Sequence, residues 1–351
     1  MFNYLFNILF LLVLSVPVYS LDEEVSYLNE NTNISIAGIL TLPESSNVPF
    51  PAIVLIAGSG QTNRNTGEPF ELLAKRFSKL GIAVLRYDKR GTGASTGDYL
   101  SATTKDLADD VEAGIKFLRS REDINPKKIG LFGHSEGGLI ASMIAASNKE
   151  IAFLILFATP ALNMLKLAEL RKISMFNKLK ELSILTEQDA ENYKELDKKI
   201  TEEILKNKNI SDGDALEEAK KLATVFFKNK GKTQDEANLE SKDFLSEYET
   251  NTSFIWSRFM LNVYPANYLK KITTPILVVY GEFDSLVLPH LNLPIATKAL
   301  EESGNQNVTI MTVEGIGHQY SEITEFIDNF KPKEPNEKLL TIFDDWLVKT
   351  K

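Results

Sequence analysis

A serine with glycine two positions to either side, Gly133-His134-Ser135-Glu136-Gly137, offers the kind of spacing that covalent chemistry requires. The apolar run Lys128-Ile129-Gly130-Leu131-Phe132 precedes it and reads as a strand, and Leu139–Ala146 follows it with helical character. A sharp turn between the two presents the hydroxyl. The glycines let the backbone fold tightly, and the helix N-terminus offers its positive end and the Glu136 amide to an oxyanion.

Serine is a weak nucleophile until a base takes its proton, and histidine suits that task near neutral pH. The chain has three histidines. His318 closes Gly315-Ile316-Gly317-His318 just past the last predicted strand, at the sheet edge where α/β sites assemble, and is the expected base. His134 adjoins the serine, cannot turn back onto it, and is expected to be a packing or supporting residue. His290 follows Pro289 in a predicted exposed loop. Asp284, in Gly281-Glu282-Phe283-Asp284 after another predicted strand, is expected to accept the proton-bearing nitrogen of His318, with Glu282 as its rival. A second oxyanion donor is expected from Gly58-Ser59-Gly60-Gln61, at Ser59 or Gly60, where glycine lets amides approach a substrate.

The elements that must hold these residues can be read from hydrophobic periodicity. Val25–Leu42 alternates as an antiparallel edge hairpin, whereas Ala52–Ala57, Ile82–Tyr87, Lys128–Phe132 and Ala152–Ala158 are short apolar runs expected of strands covered on both faces. Helical patterns at Phe70–Leu80, Leu107–Leu118 and Leu139–Ala146 alternate with them. Strands resume at Pro275–Tyr280 and Val308–Val313, and a helix runs Glu337–Lys349. The class is therefore α/β, a mostly parallel sheet flanked by helices. The stretch 162–267, rich in Lys, Glu, Leu and Asn, predicts an inserted helical cap between core parts 21–161 and 268–351. Its Phe254, Trp256, Phe259 and Met260 are candidates for an apolar substrate wall.

Residues 1–20 are almost purely apolar and end in Val18-Tyr19-Ser20 before a charged run, which predicts a cleaved secretory signal, with an uncleaved signal anchor as the alternative, and an exported protein, periplasmic or secreted, without a stable membrane span after cleavage. The absence of cysteine removes disulfides, thiolate nucleophiles and thiolate metal sites. A formal charge of −9 argues against a nucleic-acid partner. With so few histidines and no H-E-x-x-H spacing, no metal is expected.

The chain order Ser135, Asp284, His318 is that of α/β-hydrolases. Together with Gly58-Ser59-Gly60, Thr62-Asn63-Arg64, Arg86-Tyr87-Asp88-Lys89-Arg90-Gly91, Gly133–Gly138 and Gly281–Asp284, it makes the chain resemble the bacterial serine esterases of the α/β-hydrolase superfamily, of the carboxylesterase D type, and serine aminopeptidase-like hydrolases. The resemblance covers about Thr41 to Tyr320, less much of the insertion. It implies hydrolysis of a small carboxylic ester through an acyl-enzyme, without a cofactor. Gln61 stands where those esterases have proline, and Asn63-Arg64-Asn65 where they have Asp-Arg-Asp. The block Arg86–Gly91 is expected to be structural, with Asp88 and Arg90 fixing a loop near the site. An exopeptidase or amidase of the same fold, and a non-catalytic binding protein on it, remain open alternatives at this point.

Overall fold

The computed structural model describes residues 21–44, 48–65, 68–206, 212–250, 254–324 and 334–351; the apolar leader, 1–20, lies outside the described residues. Among the described residues no helix is long and apolar enough to cross a membrane.

The expected edge hairpin is formed by β1 (Leu21–Asn29) and β2 (Ile34–Leu42), antiparallel from Leu21↔Leu42 to Asn29↔Ile34. β1 starts before the predicted Val25, and its charged residues have partners there: Asp22 meets Arg86 of β4 and Glu23 meets Arg121 just after α2. β2 pairs antiparallel with β4 (Ala83–Tyr87). From there the sheet is parallel, through β3 (Phe50–Ile56), β5 (Ile124–His134), β6 (Leu154–Phe157), β7 (Ile276–Gly281) and β8 (Val308–Val313), in the spatial order β1-β2-β4-β3-β5-β6-β7-β8. This is an α/β-hydrolase fold.

Alternate residues of a strand face opposite sides, so a strand covered on both faces must be apolar at every position. Ala52, Val54 and Ile56 of β3 enter one core, and Ile53 and Leu55 enter the other. β7 divides likewise: Ile276, Val278 and Tyr280 on one side, Leu277 and Val279 on the other. Each such Val, Leu or Ile contributes about 1.5–3 kcal/mol by leaving water.

The first face is covered by α2 (Thr104–Arg119), α3 (Glu136–Ser147), α10 (Pro289–Glu302) and the short α9 (Ala266–Leu269). The second is covered by α1 (Phe70–Lys79) and α11 (Glu337–Thr350). α2 begins ahead of its apolar stripe because Thr103 and Asp106 form a reciprocal capping box. α10 starts at Pro289, whose fixed φ suits the first helical position, so His290 lies exposed in a helix and not in a loop.

Between β6 and β7 come α4 (Met164–Glu181), α5 (Glu187–Lys206), α6 (Asp212–Asn229), α7 (Gln234–Thr250) and α8 (Phe254–Leu261). They bury an apolar cluster of their own, including Leu196, Ile200, Ala223 and Phe227. They meet the sheet domain where Met260 and Val263 pack on Leu139 and Met143 of α3.

Candidate active site

Four loops leave the carboxyl ends of parallel strands and converge, as expected at the edge where such sheets bind ligands. Ser135 follows β5 directly, Gly58 follows β3, Asp284 follows β7 and His318 follows β8. Ser135 sits at φ 53° and ψ −118°, a conformation that costs a side-chain-bearing residue about 1–3 kcal/mol. The surroundings impose it: the Ser135 N–H donates to Phe157 O at 2.9 Å while α3 begins at the next residue. Gly137 is required here, since a Cβ would run into Ile56 O of β3.

His318 Nδ1 lies 2.9 Å from Asp284 Oδ2, and both residues are buried. Asp284 Oδ1 accepts the N–H groups of Leu286 and Val287, each at 2.8 Å. Burial, the strongest influence on this carboxyl, pushes its pKa up, but His318 and the two amides outweigh it and hold Asp284 below the usual carboxylate range. With Nδ1–H held by a carboxylate, Nε2 is the ring atom left to take a proton. Glu282 is exposed and turns to the Gly315 amide at 3.0 Å.

The loop after β3 lies against Ser135: a Cβ on Gly58 would stand 3.3 Å from Ser135 Cβ. Of the two amides expected to serve here, that of Gly60 is already committed, donating to Tyr99 Oη at 2.9 Å. This corrects the expectation for Gly60, because a buried tyrosine hydroxyl from beyond β4 reaches under the loop. The Ser59 N–H has no protein acceptor among the described residues. The Glu136 N–H belongs to the first turn of α3, where no intrahelical acceptor exists.

Two residues that the sequence did not single out secure this arrangement. Lys89 is 2% exposed, and its ammonium donates to the carbonyls of Gly58 and, at 3.1 Å, Gly60, while lying over the Tyr99 ring. Burial lowers its pKa from the ordinary lysine value, with Glu136 and Glu68 opposing. Glu68 Oε1 accepts both the Gly58 N–H at 3.1 Å and His134 Nδ1–H at 2.7 Å. The other nitrogen of His134 lies 2.9 Å from the His318 carbonyl. Both partners of that ring present oxygen acceptors, which favours its doubly protonated form. Burial, its largest influence, pulls its pKa down, but Glu68 outweighs it and the pKa is raised; the Glu68 pKa is lowered in return, against its own burial. One carboxylate thereby ties the loop after β3, the turn at Ser135 and the backbone of His318.

Asp88 accepts the amides of Arg64 and Ala94, each at 2.8 Å, and Arg90 forms a bidentate pair with Asp110 at 2.7 and 2.8 Å. Neither reaches the turn at Ser135 by a hydrogen bond, but Asp88 holds the Arg64 end of the loop after β3 while the lysine between them holds its Gly58–Gly60 end. Asn65, where a carboxylate is usual in the resembled esterases, accepts from Arg86 at 2.6 Å.

Trp256 donates its indole N–H to Glu136 Oε1 at 2.6 Å, beside the 2.7 Å bond from Thr104. Trp256 and Met260 line a cavity of about 570 Å³ bounded by Ser59, α4, α5 and α8. Phe259 does not line it and packs against the Leu139–Met143 cluster instead. Phe254 opens α8; its side chain lies outside the described residues. Among the described residues no group of His, Asp and Glu comes together as a metal site.

Against known proteins, the family described as serine aminopeptidase, S33, matches residues 51–322. Esterase EstD of Thermotoga maritima is 30% identical over 139 residues, covering 38% of this chain and 33% of that protein. The chain spans only about a third of the length of the first curated relatives it matches, 33% and 38%. Among solved structures, the Pyrococcus furiosus esterase Pf2001 superposes with a TM-score of 0.58 at 18% identity, over 94% of this chain and 91% of that one. Est1E from Butyrivibrio proteoclasticus, solved with ferulic acid bound, gives 0.58 at 15% identity over 93% and 98%. At these identities the structural likeness is one of fold.

Proposed function

Because this chain belongs to the serine aminopeptidase S33 family of α/β-hydrolases, we propose that it is a serine carboxylesterase acting through an acyl-enzyme. Ser135 Oγ attacks the ester carbonyl as its proton passes to His318 Nε2, and Asp284 stabilises the imidazolium. The amides of Glu136 and Ser59 receive the oxyanion, each contributing about 3 kcal/mol to the transition state. The proton on His318 then leaves with the alcohol, and water activated by the same nitrogen releases the acid. The observation that carries this reading is the 2.9 Å contact between His318 and a buried, ionised Asp284, next to a serine held at positive φ at the sheet's carboxyl edge. Helices α4–α8 are read as a cap whose Trp256 and Met260 wall the substrate space. The esterase name of a sequence relative and the largely apolar cavity support an ester as substrate.

One observation favours a second reading, cleavage of an amino-terminal residue. Glu136, next to the nucleophile, keeps Oε2 buried and without a partner, which suits a substrate ammonium. Hydrolysis of nitrophenyl esters from acetate to long chains, set beside amino-acid nitroanilides, tests both. Ester turnover that disappears in Ser135→Ala, with fluorophosphonate labelling of Ser135 in the parent, is expected. Faster cleavage of anilides than of simple esters would establish the peptidase reading, and a folded protein inert to both substrates and probe would refute each.

A further inference from the structure

The cavity beside the nucleophile changes character along its length. Near the sheet domain its wall is Ser59, Trp256, Met260 and Met164, and the Met164 N–H bonds to Val263 O where α4 meets the cluster on α3. Further along the same face of α4 the wall includes Arg171. At about 1.5 Å of rise per residue, Arg171 lies roughly 10 Å beyond Met164.

Of the other cations lining this cavity, Lys172 pairs with Asp197 and Lys194 with Glu191, whereas Lys198 is exposed to water. Arg171 is half-buried and has no carboxylate or other acceptor among the described residues. A cation taken part-way out of water without a partner is costly, and a guanidinium matches a carboxylate by two parallel hydrogen bonds. A passage that is apolar at its Ser59 end, and whose far end sets an unpaired guanidinium among Glu169, Lys172, Asp197 and Glu202, is a fit for a hydrocarbon chain with a terminal carboxylate.

We infer that the substrates are half-esters of α,ω-dicarboxylic acids, with the acyl chain along Met164 and Met260 and the free carboxylate on Arg171. Turnover in this inference rests on the esterase reading above, but binding does not. The paired probes are mono-4-nitrophenyl suberate, which carries the terminal carboxylate, and 4-nitrophenyl octanoate, which does not. Calorimetric titration of both into Ser135→Ala protein reads the cavity without chemistry, and wild-type kcat/KM reads it with chemistry.

Suberate is expected to bind about tenfold more tightly than octanoate. Arg171→Met should bring the ratio to about one without changing octanoate binding, and Arg171→Lys, which keeps the charge on the same solvent-reaching helix, should retain part of the preference. Equal binding of the two probes, or a suberate preference that survives Arg171→Met, would overturn the inference. Arg171-dependent binding in a wild type that hydrolyses neither probe would sustain the carboxylate site on Arg171 while sinking the esterase reading and, with it, half-esters as substrates.

Discussion

Replacing Lys89 by methionine keeps the apolar stem and removes the ammonium that holds the carbonyls of Gly58 and Gly60. A buried acceptor left without a donor costs about 1–3 kcal/mol, so two of them, partly rescued by water, cost about 2–4 kcal/mol. For a chain of this size that lowers Tm by about 3–6 °C. The catalytic effect should be larger in proportion. Deleting one oxyanion donor costs about 10²–10³ in kcat, and Lys89→Met does not delete the Ser59 amide but frees the loop that aims it. A fall of about 10–100-fold in kcat is expected. Lys89 touches the loop and not the substrate, so KM should move less than about threefold. Initial rates on a nitrophenyl ester, measured well below the lowered Tm, separate the two constants. A folded Lys89→Met protein with kcat within about threefold of wild type, or one whose loss appears in KM alone, would refute the assignment of Lys89 as the residue that positions the loop.

The His134–Glu68 pair should show in the pH dependence of stability. The His134 pKa is raised, so its contribution is complete below about pH 6.5 and is lost as pH rises through the raised value; the Glu68 pKa is lowered, so its share is complete above about pH 4.3 and is lost as pH falls through the lowered value. Thermal melts of wild type and Glu68→Gln should therefore differ most between about pH 4.5 and 6.5 and converge toward pH 9, and a gap that widens with pH would contradict a charged His134. Asp110→Ala strands the Arg90 guanidinium and the Asn29 amide in a buried site, so urea unfolding should register a loss of about 3–5 kcal/mol, and less than about 1 kcal/mol would show that the pair is not sustaining the loop after β4.

The parts of this protein that could be read from its sequence are those in which one local pattern dictates one outcome. The parallel strands were legible because burial on both faces demands unbroken apolar runs, and the turn at Ser135 because the glycine at 137 is forced by the approach of β3. Asp284 and His318 were placed by their position after strands. Lys89 and Glu68 escaped because their roles exist only in three dimensions: the loop they hold precedes both of them in sequence, and each looks like an ordinary loop charge. Gly60 was misjudged for the same reason, since nothing near it announces Tyr99. Of the apolar candidates on α8, Trp256 and Met260 face the cavity whereas Phe259 faces α3, and a short run with apolar residues on all sides does not reveal which is which.

The partnership of β6 and β7 sets a timetable for the chain. Leu154 is bonded beside Ile276, so the sheet accepts its next strand only after all of α4–α8 has been synthesised. Doubling the length of such a detour costs only about 0.6 kcal/mol of closure entropy. What stands between the two strands can therefore be lengthened or exchanged over evolutionary time without disturbing the register that spaces Ser135, Asp284 and His318. On the ribosome, at about 5–20 residues per second, His318 emerges roughly 10–40 s after Ser135. For that interval the growing chain holds Ser135 without the histidine that the proposed mechanism pairs with it.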